Sequence, residues 1–149
     1  MHQVYVSIGS NIDPNKNITI VKGYLNGLFV CTFSSLYETI SEGFEGNNFI
    51  NCVVGFETDI EPIALRENLK KIEKNMGRTL SQKGMSNRVI DLDLILYGNL
   101  ITEDKNFDIP SKDIENMAFI LEPLAEIAGD LKHPISKISF SLMLKHLRS

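Results

Sequence analysis

The stretch Arg88-Val-Ile-Asp91-Leu-Asp93-Leu-Ile-Leu-Tyr97 decides the reading of this chain. Val, Ile, Leu and Tyr suit a strand, and few other places in the sequence are so apolar over so many residues. Alternation along a strand sends Asp91 and Asp93 to one face and Ile90, Leu92, Leu94 and Leu96 to the other. Carboxylates at i and i+2 lie roughly 6.5–7 Å apart at the backbone. At that spacing they repel unless a cation sits between them. Hard oxygen ligands in small number suit Mg²⁺ that also holds a phosphate. A bare Asp-x-Asp pair fits two solvated aspartates on the wet face of an edge strand as well, so the surroundings have to decide.

A chain of 149 residues, 43% of them hydrophobic, can bury one core, and a single domain over 1–149 is expected. A net charge of −4 gives no whole-chain reason to expect nucleic acid or an anionic membrane surface. No run approaches the length of a membrane span. The start, Met-His-Gln-Val-Tyr-Val, has neither a basic n-region nor an apolar h-region, which predicts a cytoplasmic protein. Cys31 and Cys52 lie in apolar, strand-like segments and read as reduced core thiols. His2, His133 and His146 are scattered and suggest no metal cluster.

Working outward, Val4, Val6 and Ile8 alternate with Gln3, Tyr5 and Ser7, a half-buried first strand broken by Gly9-Ser10-Asn11. Asp13-Pro14 reads as an N-cap with proline at the first helical position, and Ile18, Val21, Tyr24, Leu25 and Leu28 predict a helix over about 14–28. Strands are expected over 29–39 and 49–58, joined by the polar, glycine-bearing loop 41–48, long enough to be functional. Glu61-Pro62 opens a second helix, with Leu65, Leu69, Ile72 and Met76 on one face and Gly77 as its stop. A fourth strand covers about 89–97, and Tyr97-Gly98-Asn99 turns the chain into a short partner near Leu100-Ile101. The order β-α-β-β-α-β is that of a ferredoxin-like α+β sandwich with an antiparallel sheet. The C-terminal third adds short helices, Met117 to Ile127 with Pro123 inside it and Ser139 to Leu147.

Just before the two aspartates, the loop 78–88 carries Arg78, Lys83 and Arg88 and no acidic residue, a locally positive segment in an acidic chain. That suits a polyphosphate with Mg²⁺, although an ordinary solvated loop has the same composition. No GxxxxGK[ST] or GxGxxG occurs, which disfavours a P-loop or Rossmann site.

Over essentially its full length the chain resembles the 6-hydroxymethyl-7,8-dihydropterin pyrophosphokinase family. The resemblance rests on Ser7-Ile-Gly-Ser-Asn11, Ser35-Leu-Tyr-Glu-Thr39, Phe49-Ile-Asn51, Ile72-Glu73, Gly77-Arg78, the RxxDxD run from Arg88 to Asp93, and Phe119 to Ala128. It implies transfer of a diphosphate from ATP to a pterin alcohol, giving AMP, in a monomer whose partners are these two small molecules. It implies that Asp91 and Asp93 hold two Mg²⁺ ions along the ATP phosphates, with Arg78 and Arg88 on the phosphates as catalytic cations. Thr39, Ile40, Ser41, Phe49, Asn51 and Phe119 would form the pterin pocket. Asn51 would take the amide edge of the ring, and Phe119 would grip it with Phe49 or Phe44. Glu73, strand main chain near Leu94, and Asp108, Ser111 and Lys112 would meet the nucleotide.

The chain also departs from the family pattern. Leu80, Gly84 and Met85 stand where relatives often carry loop arginines and a tryptophan. Ser111-Lys112 replaces a common His-Tyr pair, and Met117 an arginine. These losses leave a second reading open, a catalytically weak paralogue acting as a pterin- or nucleotide-binding module.

Overall fold

The computed structural model describes residues 1–39, 48–77, 89–104 and 107–149. Its central strand, β1 (His2–Ser10), pairs antiparallel with β4 (Phe49–Thr58) on one side and β5 (Asp91–Tyr97) on the other. The far edge of β4 is met by two short strands, β2 (Thr32–Phe33) and β3 (Tyr37–Thr39), both antiparallel to it. The sheet therefore runs β2-β4-β1-β5, with β3 continuing beside β2 on β4. With β2 and β3 taken as one interrupted edge strand, and with helices α1 (Pro14–Leu28) and α2 (Pro62–Asn75), this is the ferredoxin-like βαββαβ arrangement.

The interruption corrects the expectation of a continuous strand over 29–39. Ser34 is buried and leaves the ladder to serve it from the side, its amide donating to the Val53 carbonyl and its hydroxyl accepting from the Val53 amide. A second correction concerns the segment after β5. The short strand expected near Leu100-Ile101 lies just beyond it, as β6 (Thr102–Asp104), and pairs with β7 (Phe107–Ile109) in a separate two-stranded ribbon.

Both faces of the sheet are covered, by different helices. Val4, Val6, Ile8, Cys52, Val54, Phe56, Leu92 and Leu94 pack against Ile18, Val21 and Leu25 of α1 and Leu65, Leu69 and Ile72 of α2. Each such aliphatic side chain contributes roughly 1.5–3 kcal/mol by leaving water. On the other face Tyr5, Val53, Ile95 and Leu96 pack against α3 (Asp113–Asn116), α4 (Ala118–Ala128) and α5 (Phe140–Arg148). Leu96 was expected beside Leu92 and Leu94. The β1–β5 register shifts between Tyr5↔Leu96 and Val6↔Leu94, so Ile95 is an extra residue and every side chain beyond it changes face.

The helix termini follow their sequence signals with one exception. α1 and α2 both start on proline, and Gly77, at φ 94, ends α2 in the left-handed conformation that glycine adopts at no steric cost. Asp13 occupies the N-cap position of α1, but its side chain makes no capping bond and its own backbone is left-handed. α5 is capped by Ser139, whose hydroxyl accepts from the Leu142 amide. Cys31 and Cys52 are both free thiols. Burial pushes the Cys52 thiol up to about 11, in keeping with an unreactive core cysteine. No described helix is long and apolar enough to cross a membrane.

Candidate active site

The register of β1 with its two neighbours assembles the site. Gly9 pairs with Asp91 on one side and with Asn51 on the other, and Asn51 pairs in turn with Tyr37. Directly paired residues share a face, so Tyr37, Asn51, Gly9 and Asp91 form one cross-strand row. The next row holds Val53, Ser7 and Asp93, and Val53 and Tyr5 identify the shared face as the one under α4. Two strand spacings, roughly 10 Å, separate the backbones of Asp91 and Asn51.

Gly9 is the open centre of this row. A Cβ there would stand 3.0 Å from Asn51 Oδ1 and 3.7 Å from Phe49 Cδ1, so the missing side chain is the space into which those two residues reach. Asn51 is buried at 7% exposure, and its Nδ2 donates to the Thr39 hydroxyl at 2.8 Å. That bond fixes the amide plane and offsets the several kcal/mol that burying a bare amide costs. Phe49 is half-buried at the start of β4, on the Asn51 face. Phe119, in the first turn of α4, is 37% exposed, a large aromatic left uncovered.

The Asp93 side chain keeps contact with solvent but stands in a recess of the protein. That desolvation, followed by the charges of Asp91, Asp113 and Glu73, pushes its carboxyl up to about 7, against a smaller opposing pull from Arg66. Sequence reasoning missed Asp113 and Arg66. Arg66 lies two helical turns before Glu73, on the same side of α2, and its guanidinium sits 5.6 Å from the ring centroid of Phe107 in β7. The seven-residue spacing to Glu73 was a usable signal.

The motif Ser7-Ile-Gly-Ser-Asn11 is largely support. The Ser10 side chain is fully buried and donates to the Val89 carbonyl at 2.6 Å, anchoring the chain where it enters β5. Asn11 is buried beside it. Leu94 points its side chain into the α1/α2 core, leaving only its main chain for any ligand. Asp108 and Lys112 face each other at 3.8 Å. Ser111 is buried, its amide donating to the Ile95 carbonyl and its hydroxyl accepting from the Asp113 amide. Ile40, Ser41, Phe44, Arg78, Lys83, Arg88 and the departures Leu80, Gly84 and Met85 lie outside the described residues.

Comparison with known proteins identifies the family. Residues 5–129 match the family model described as 7,8-dihydro-6-hydroxymethylpterin-pyrophosphokinase. The chain is 32% identical to the 2-amino-4-hydroxy-6-hydroxymethyldihydropteridine pyrophosphokinase of Haemophilus influenzae, over 96% of this chain and 92% of that one. It is 32% identical to the Aquifex aeolicus protein of the same name, over 91% of this chain and 86% of that one. In the folic acid synthesis protein fol1 of Pneumocystis carinii it matches 19% of the length at 35% identity. Among solved structures, the Plasmodium falciparum HPPK-DHPS superposes with a TM-score of 0.73 at 13% identity, covering 98% of this chain and 43% of that one, which speaks for the fold alone. The chain belongs to the 7,8-dihydro-6-hydroxymethylpterin-pyrophosphokinase family.

Proposed function

We propose that this chain carries out its family's reaction, ATP-dependent transfer of a pyrophosphoryl group to 6-hydroxymethyl-7,8-dihydropterin in folate synthesis, using Mg²⁺ held by Asp91 and Asp93. The observation that carries this reading is the single row Asn51–Gly9–Asp91, which sets a buried amide partner and a carboxylate pair on one face, two strands apart.

The donor set fits the metal. Asp91 and Asp93 share a face and offer a small number of hard oxygen ligands. Mg²⁺ takes one or two carboxylates and completes its shell with water and substrate phosphates, so an incomplete cage suits it, as two ions along a triphosphate would require. When bound, the metal would neutralise phosphate charge and help orient the transferring group.

The remaining work falls to the chain's own residues. Asn51, its amide plane set by Thr39, presents polar atoms to the amide edge of the pterin. Phe49 and Phe119 offer aromatic faces to the ring, each offset stack adding about 0.5–1.5 kcal/mol beyond area. Main chain from Thr39 through Ile40 and Ser41 takes the other ring polar groups. The substrate hydroxyl is thereby aimed at the β-phosphorus of ATP, and AMP departs. Holding two reactants in such a geometry accounts for much of the rate in a reaction that needs no covalent nucleophile. Arg78 and Arg88 are assigned to the phosphates, where Arg66 adds a cation beside Asp93. Glu73, Leu94 main chain, Asp108, Ser111 and Lys112 border the nucleotide. The chain acts as one domain over 1–149, as a monomer. Two free cysteines suit a reducing cytoplasm.

The test measures AMP released from ATP, with and without the pterin alcohol, in the wild type and in Asp93→Ala. Pterin-dependent AMP that disappears in the variant is expected. AMP that survives the substitution sinks the metal assignment. No AMP under any condition, together with measurable pterin binding, leaves a binding module instead.

A further inference from the structure

Glu73 is an acidic side chain in the wrong place for a surface role. It sits on the buried side of α2 beside Ile72 and one turn after Leu69, and is 8% exposed. An ionised carboxylate in such a setting is costly unless it is hydrogen-bonded. Its Oε2 accepts from the backbone amide of Leu92 at 2.6 Å, a short bond.

The identity of the donor is what matters. β5 is the edge of the sheet, with β1 as its one sheet neighbour. Amides of an edge strand that point away from the neighbour have no ladder partner, and the Leu92 amide is one of these. Further along, the Ile95 carbonyl on β5 is taken by the Ser111 amide. The outer side of β5 is thus held at two points, and the one nearer the site lies between Asp91 and Asp93. The Leu92 amide belongs to the peptide unit that joins Asp91 to Leu92, and the Leu92 dihedrals set how far apart the two carboxylates stand and whether they converge. The Leu92 side chain, buried in the α1/α2 core, fixes the same residue from the other direction.

We propose that Glu73 is a positioning residue that holds Asp91 and Asp93 in metal-binding register through the backbone amide of Leu92. The inference rests on the assignment of those two aspartates to Mg²⁺. It predicts that reach matters more than charge at position 73. Glu73→Gln keeps an acceptor oxygen at the same distance and loses the charge. Glu73→Asp keeps the charge and withdraws the oxygen by one methylene.

The experiment compares the wild type, Glu73→Gln and Glu73→Asp by two readouts. The first is hydrogen exchange of the Leu92 amide in the ligand-free protein. The second is the Mg²⁺ concentration giving half-maximal AMP production. Glu73→Asp should speed Leu92 exchange and raise the Mg²⁺ requirement by about 10–100-fold, the range for groups that orient metal ligands. Glu73→Gln should stay within a few-fold of the wild type in both. Glu73→Gln impaired while Glu73→Asp is normal, or both variants normal in both readouts, overturns the proposal. If the wild type shows no Mg²⁺-dependent turnover, the functional reading fails, while Leu92 exchange still decides whether Glu73 holds the strand.

Discussion

Asn51 gives its side-chain amide to the hydroxyl of Thr39 across 2.8 Å, from one strand to the next. Nδ2 is thereby turned toward β3, and Oδ1 lies on the Gly9 side. Removing the acceptor with Thr39→Val leaves Asn51 free to rotate and forfeits a bond worth about 0.5–1.5 kcal/mol, so the KM for the pterin should rise several-fold with ATP affinity unchanged. Asn51→Leu removes the substrate partner as well and should cost on the order of 1–3 kcal/mol, up to about a hundredfold in pterin KM. Steady-state kinetics with each substrate varied checks both. Equal effects on ATP and pterin would place Asn51 outside the pterin pocket.

Gly9→Ala tests the same pocket from below. The added methyl would stand 3.0 Å from Asn51 Oδ1, so the amide has to yield by a few tenths of an ångström. Small displacements of a positioning group are costly, and a loss on the order of tenfold in kcat/KM for the pterin is expected, with a stability cost of about 1–3 kcal/mol from overpacking. Unchanged kinetics would mean that the position of Asn51 does not matter to catalysis.

Some of this was legible in the sequence and some was not, for reasons that lie in particular residues. α1 is plain because Ile18, Val21 and Leu25 keep helical spacing behind a proline, and β4 because its apolar run has no competing signal. The pairing of Asp91 with Asp93 follows from strand parity alone. The displacement of Leu96 to the other face does not, because a bulge is a property of two strands together and only the register with Tyr5 and Val6 exposes it. The break at Ser34 is hidden for the same reason, since its partner Val53 is distant in sequence. Glu73 stood out only through the family resemblance, which implies a place at the nucleotide. Its partner is a backbone amide, which every residue but proline carries, so composition is silent about it. Arg66 stayed unnoticed because its one signal, the two-turn spacing to Glu73 along α2, carries weight only once Glu73 is known to face the site.

The Asp93 carboxyl is raised from 3.8 to about 7 in the folded protein, which makes metal-free stability pH-dependent. Between those values the native state holds this proton more tightly than the unfolded chain does. Its stabilising effect is therefore full below about pH 4 and is lost as pH rises through 7. In chelator, wild type and Asp93→Asn should melt at similar temperatures near pH 4, and the variant should gain on the wild type by pH 8. Adding Mg²⁺ at pH 8 should raise the wild-type melting temperature and leave the variant behind. Parallel melting curves across the pH range would remove Asp93 as the titrating group.

The strand that carries Thr39 is also tied to α4. Glu126 on α4 accepts from the Ser35 amide at 2.9 Å, from the Ser35 hydroxyl at 3.0 Å and from the Tyr37 hydroxyl at 2.5 Å. Those bonds, the Tyr37 one foremost, hold the Glu126 carboxyl below its usual range, while burial and the Glu126 contact push the Tyr37 phenol up to about 12. Because Tyr37 pairs with Asn51, this exposed clasp secures the interrupted edge strand against the pterin side of the row. Tyr37→Phe should destabilise the fold by about 0.5–1.5 kcal/mol in urea unfolding. Glu126→Gln, whose amide keeps one acceptor oxygen and loses the charge, should cost less at pH 7 than Glu126→Ala. The stabilisation attached to the ionised Glu126 is present above the ordinary carboxylate range and disappears as pH falls through the depressed value, so wild type and Glu126→Gln should converge in acid. If Tyr37→Phe leaves both stability and pterin KM untouched, β3 is held by its ladder to β4 alone.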